Sequence, residues 1–222
     1  MSNVNWNEVL IRCSCIGKIM AEGKGTVLTE KQAETLVELQ NKHQFDTDKN
    51  SRHFYLEVYD ELFKPYKYSS GNLLEIGVSH GGSVQLWHEY FPNINIVGID
   101  IYTPTDPQLL EMCSLRFKGH FAVDAYTSKM ITTLVHKYTR FNIIIDDGPH
   151  TMESQIFSVL HYSTLIEFGT LIIEDVNRSH IEKIMEAAYQ LPRAYSLTTI
   201  DKNSSRRTSI HSDDCLVILE FV

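Results

Sequence analysis

Basic residues are in short supply in this sequence. Twenty lysines and arginines stand against 28 acids, which leaves a formal net charge of -8. A chain of that sign repels the phosphate backbone of nucleic acid unless a local basic patch overrides the mean. The one dense basic cluster, Arg206-Arg207, falls in a polar loop and reads as a solvated turn, so no nucleic-acid partner is expected. Cysteine is scarce as well. Cys13, Cys15, Cys113 and Cys215 do not supply the two pairs of a tetrahedral zinc site. Cys113 and Cys215 lie in helix-like and strand-like stretches and read as buried thiols, so a reducing compartment without disulfides is expected. No apolar run is long enough to span a bilayer. Met1 to Arg12 lacks the basic-then-apolar layout of a signal peptide. The expectation is a cytoplasmic protein with no membrane partner. Internal repeats and low-complexity tracts are missing too.

What is there is globular. Of 222 residues, 43% are hydrophobic and 22% charged, which suits one sizeable α/β domain. Residues 1–45 read as an N-terminal accessory segment that docks on the main domain or on another subunit of a homo-oligomer. Within it, Thr29 to Lys42 has the pattern of a polar helix, with Thr29 as N-cap and Gln32 completing a capping box. Residues 46–222 form the main domain. Strand-like runs at Leu73–Gly77, Ile94–Ile101, Phe117–Val123, Phe141–Asp146 and Thr170–Glu174 alternate with helical stretches, the longest being Met152–Phe168. That alternation predicts a mostly parallel sheet with helices on both faces. Tyr195–Ile200 and Cys215–Phe221 have only a polar loop between them. They are expected to pair as an antiparallel hairpin, because a parallel crossover needs an intervening helix.

In an open α/β sheet, ligands bind at the carboxyl ends of the strands, near the switch in strand order. Three such ends carry a pattern. The turn Glu75-Ile76-Gly77-Val78-Ser79-His80-Gly81-Gly82 brings backbone close to a ligand. Asp100 ends the second strand, where a carboxylate can accept both ribose hydroxyls of a nucleoside. Asp124 follows the third strand, where it or its neighbour Ala125 reaches an adenine edge. The dinucleotide fingerprint G-x-G-x-x-G fails, because serine stands at 79 where the second glycine belongs. A nucleoside without pyrophosphate, S-adenosylmethionine, fits better than a nicotinamide cofactor. The simpler reading is that these acids merely cap helices.

Two further strand ends are acidic: Asp146-Asp147-Gly148-Pro149-His150 and Glu174-Asp175. Neighbouring parallel strands would aim both sets into one crevice. Converging carboxylates repel unless they are protonated or hold a cation, and an all-oxygen set favours a hard divalent ion such as Mg²⁺. Such an ion can bind neighbouring substrate hydroxyls and lower their pKa. His150 lies close enough to Asp147 to take the proton. Helix capping explains one acid per strand end but not a pair at each. His211-Ser212-Asp213 has the spacing of a non-haem iron site, yet no histidine follows it, so it reads as loop.

The stretch Thr47-Asp48-Lys49 through His53, Tyr55 and Tyr59, then LEIGVSHGGSVQLWHEYFP, GID, IIIDDGPH and LIIEDV, resembles the metal-dependent sugar O-methyltransferases of macrolide pathways, of the mycinamicin and tylosin type. Related sequences are called cephalosporin hydroxylase-like. The resemblance spans residues 45–222. It implies a Rossmann-like seven-stranded methyltransferase sheet, and Mg²⁺ at Asp147, Glu174 and Asp175 with His150 or Asp147 as proton acceptor. It also implies S-adenosylmethionine contacts at Glu75, Gly77, Asp100, Asp124 and Asp146, and a Thr47-Asp48-Lys49 motif closing over the cofactor. Pro149 stands where the family has serine. The implied activity is methylation of a sugar hydroxyl on a glycan or glycosylated small molecule. The rivals are a catechol-type O-methyltransferase, a nicotinamide oxidoreductase and a non-catalytic binding module.

Overall fold

A computed structural model describes residues 34–104, 109, 111, 115–202 and 213–222. The Cys13-Cys15 pair, Thr29, Cys113, Arg206-Arg207 and His211 lie outside the described residues.

Seven strands form one sheet: β1 (Gly71–Ile76), β2 (Ile94–Asp100), β3 (Phe117–Phe121), β4 (Phe141–Asp146), β5 (Ile166–Val176), β6 (Tyr195–Asp201) and β7 (Cys215–Phe221). Their order is β3-β2-β1-β4-β5-β7-β6. The first five strands run parallel, and β7 pairs antiparallel with both β5 and β6. The expected hairpin is present, with β7 inserted between its partner and the rest of the sheet. Strand order reverses between β1 and β4, which puts the crevice of an open α/β sheet above those two strands.

The described α-helices are α1 (Leu36–His43), α2 (Asp48–Ser51), α3 (Leu56–Phe63), α4 (Gly82–Tyr90), α5 (Ser128–Lys137), α6 (Met152–His161) and α7 (Ile181–Ala188). They cover both sheet faces, so β1, β2, β4 and β7 are apolar on both sides. One core packs Leu74, Val97, Ile144, Leu171 and Val217 under residues of α5, α6 and α7. The other packs Leu73, Ile96, Ile143, Ile172 and Leu216 under α1, α3 and α4. Each fully buried large aliphatic or aromatic side chain contributes about 1.5–3 kcal/mol.

Threonine hydroxyls start four of the described helices, each accepting a backbone N–H: Thr35 from Glu38, Thr47 from Lys49, Thr127 from Met130 and Thr151 from Ser154. The expected cap at Thr29 lies outside the described residues, and the described helix begins at Leu36. The capping box is Thr35 with Glu38, and Leu36 and Leu39 are buried against α3 and α4. The long helix expected over Met152–Phe168 ends at His161. A 3₁₀ turn over Tyr162–Leu165 follows, and β5 begins at Ile166 because that residue already pairs with Phe141. Among the described residues, no helix is long and apolar enough to cross a membrane.

Candidate active site

The turn after β1 is built by backbone that only glycine tolerates. Gly77 has φ +87°, and a Cβ there would sit 1.9 Å from the carbonyl oxygen of Asp147. Its N–H donates to Ile99, while the N–H of Asp147 donates to Ile76, so the ends of β2, β1 and β4 are tied together. The Ser79 N–H donates to Asp100 Oδ2 at 2.8 Å, and Tyr102 N–H to Oδ1 at 2.8 Å. The Asp100 carboxylate is thereby fixed at the wall of a cavity of about 680 Å³, within the usual range for a small-molecule site.

Thr47, Asp48 and Arg52, at the two ends of α2, line this cavity. The carbonyl of Asp46 approaches Gly82 so closely that a Cβ would lie 2.0 Å from it. Thr47 caps α2, and Lys49 of this helix reaches Asp147.

The cavity is lined by Thr47, Asp48, Gly77, Ser79, Asp100, Asp124, Ala125, Asp147, His150 and Asp175, all expected at the site. Five other expected residues do not line it. Glu75 is fully buried, accepts the Trp87 indole N–H, and is pushed up to about 7 by burial. Gly81 turns the chain into α4 at φ +89°, packed on Leu109. Asp146 lies beneath the floor, held by the Tyr126 hydroxyl and the Gly148 N–H. Lys49 is buried. Its ammonium lies 2.6 Å from Asp147 Oδ2, 2.7 Å from Glu174 Oε1 and 3.6 Å from Glu75 Oε1. Glu174 is held by Lys49 and the Tyr59 hydroxyl. Lys49 and Glu174 form an internal ion cluster below the cavity because a buried ammonium and buried carboxylates need one another.

Of the two acidic pairs at the strand ends, one acid of each converges at the cavity, Asp147 and Asp175, while Asp146 and Glu174 are held inside the protein. Ligand atoms of Asp147, His150 and Asp175 all lie within 4.8 Å of one another. His150 Nε2 is 3.2 Å from Asp147 Oδ1, and its Nδ1 is 3.7 Å from Asp175 Oδ2. His150 and Asp175 both adopt left-handed backbone, at φ 55° and 50°. Non-glycine residues rarely do so, and such strain of about 1–3 kcal/mol each gathers at functional sites.

The charges are tightly coupled. Burial raises Asp147, but the Lys49 ammonium and His150 outweigh it and hold the carboxyl below its ordinary range. Burial and the Asp147 charge push Glu174 up to about 8. Burial opposes the imidazolium of His150, yet Asp147, Asp175 and Glu174 raise it to about 9. A set that holds protons this firmly suits a cation, whose charge would replace them.

Further groups support Asp175. The Tyr55 hydroxyl donates to its Oδ1 at 2.8 Å, and His53 Nδ1 lies 3.3 Å away. His53 also reaches Asp214 at 2.7 Å and Asp48 at 3.3 Å, and its hydrogen bond holds the Asp48 carboxyl at about 2. Sequence reasoning gave His53, Tyr55 and Tyr59 no role at the acids. The signal was the helical spacing of two tyrosines whose hydroxyls face the same strand end.

No family model matches the chain. Among curated proteins it is similar to mycinamicin VI 2''-O-methyltransferase of Micromonospora griseorubida, 29% identical over 44% of this chain and 25% of the relative. It is also similar to demethylmacrocin O-methyltransferase of Streptomyces fradiae, 28% identical over 46% of this chain and 26% of the relative. The chain thus spans about a quarter of the length of these relatives. The MycE methyltransferase of the mycinamycin pathway, solved with Mg and SAH, superposes with a TM-score of 0.62 at 20% identity, covering 85% of this chain and 55% of that one. Its complex with Mg, SAH and mycinamycin VI gives 0.53 at 26% identity, covering 86% and 49%. The β3-β2-β1-β4-β5-β7-β6 sheet has the methyltransferase fold, and the chain is similar to sugar O-methyltransferases of macrolide pathways.

Proposed function

We propose that this protein methylates a sugar hydroxyl of a glycan or glycosylated small molecule, using S-adenosylmethionine and a hard divalent cation. The convergence of Asp147, His150 and Asp175 beside the cavity walled by Asp100 carries this reading. When bound, S-adenosylmethionine supplies an electrophilic methyl group, and Mg²⁺ supplies positive charge that lowers the pKa of a coordinated hydroxyl.

The residues present suit both groups. Asp100 is fixed by two backbone N–H donors and keeps its remaining lone pairs for a ribose diol. Asp124 and Ala125 flank the adenine end. Asp147 and Asp175 would hold the cation. Glu174 would join them if Lys49 withdraws from between Glu174 and Asp147.

His150 is the proton acceptor, with Asp147 as the substitute. Surrounding carboxylates keep the imidazole protonated in the metal-free protein. Once their charge is neutralised, the imidazole loses that support and becomes able to accept a proton near neutral pH. Thr47 and Asp48 line the cavity and would flank the bound donor. The catalytic gain comes from aligning the hydroxyl with the methyl donor and stabilising the developing alkoxide.

The likeness to enzymes acting on glycosylated macrolides favours a sugar over an aromatic diol. Transfer of a labelled methyl group to a panel of glycosides and a panel of catechols tests this. Labelling of glycosides that stops in excess chelator and in Asp147→Ala is the expected result. Labelling of catechols alone would move the protein to the rival class, and chelator-resistant labelling would remove the metal.

A further inference from the structure

The cavity has an uneven charge. Among the described residues, seven aspartates line it, with one arginine, Arg52, and no lysine. Arg52 is the C-cap of α2, and its backbone N–H donates to Asp48. Its guanidinium makes no ion pair among the described residues, although Asp48 stands one turn before it. His80, the neighbouring cavity residue, is already engaged with Asp46 at 3.2 Å. A cation left unpaired on an acidic wall is poised for an anion that arrives with a ligand.

We propose that Arg52 binds the α-carboxylate of the methyl donor and so selects a nucleoside that carries an amino acid arm. The inference rests on the reading above, in which the donor's ribose sits at Asp100 and its adenine beside Asp124. The reacting methyl must then face Asp147 and His150. The remaining substituent on sulfur has the space beside α2, where the Asp46 carbonyl abuts Gly82 and Arg52 lines the wall. That arm ends in a carboxylate. Among seven aspartates this anion is repelled unless a cation meets it, and the forked guanidinium matches a carboxylate by two parallel N–H donations.

Calorimetric binding of S-adenosylhomocysteine and of 5'-methylthioadenosine to wild type, Arg52→Gln and Arg52→Lys tests the assignment. The second ligand keeps adenine, ribose and thioether but lacks the amino acid. Arg52→Gln should weaken S-adenosylhomocysteine about 10- to 100-fold, the worth of a charge-assisted hydrogen bond, and leave 5'-methylthioadenosine within about twofold. Arg52→Lys should recover part of the loss. Equal weakening of both ligands, or of neither, overturns the role. Wild type that binds neither ligand overturns the donor reading beneath it, a result distinct from any effect of the substitution.

Discussion

The ammonium of Lys49 lies 2.7 Å from Glu174 and 2.6 Å from Asp147, buried beneath the cavity floor. The sheet brings the ends of β4 and β5 side by side, and this one cation holds an acid from each. Without it, two carboxylates would face each other at low dielectric.

Lys49→Met should therefore destabilise the fold by about 3–5 kcal/mol, the usual cost of removing one partner of a buried ion pair. Adding Glu174→Gln should return part of that loss, since one stranded charge is gone. Urea unfolding of the single and double variants reads both. A Lys49→Met variant as stable as wild type would mean that the Lys49 ammonium does not hold these acids together.

Gly77→Ala tests the turn. A methyl group at φ +87° and 1.9 Å from the Asp147 carbonyl cannot be accommodated without moving the end of β4. The expected cost exceeds about 1 kcal/mol, with binding of S-adenosylhomocysteine weakened alongside it. Thermal unfolding and calorimetry measure the two effects. Unchanged donor affinity would separate the turn from the nucleoside site.

His150 gives the metal-free protein a pH dependence. Its folded pKa, about 9, lies above the ordinary 6.5. The imidazolium therefore stabilises the fold fully below pH 6.5, and that stabilisation is lost as pH rises through about 9. In chelator, wild type should exceed His150→Gln in stability at pH 6 by more than at pH 10 on urea unfolding. A difference between the two proteins that does not change with pH would place the proton elsewhere.

Parts of this arrangement are legible in the sequence because they are local. Phe141–Asp146 carries the run Ile143-Ile144-Ile145, and β4 has those bounds. The polar loop before Cys215 excludes a crossover helix, and the antiparallel pairing follows. The doubled acids at both strand ends, and the glycine turn joined to Asp100, likewise show in the order of residues. What escapes is tertiary. Lys49 reads as a cofactor contact until the fold puts it 98 residues from its partner Asp147 in sequence yet within hydrogen-bonding distance. Glu75 and Asp146 end strands that meet the cavity, but strand alternation turns their side chains into the protein, towards Trp87 and Tyr126. The early end of α6 depends on Ile166 pairing with Phe141, a contact no helical periodicity reveals.

Calorimetric titration of Mg²⁺ into the protein with S-adenosylhomocysteine present, for wild type and Asp147→Asn, addresses the convergence of acids at the nucleoside site. Wild type should take up one ion per chain, and Asp147→Asn should bind at least about 10-fold more weakly, since a neutral amide replaces a charged ligand. Equal affinity in the two proteins, or no uptake by wild type, would contradict it.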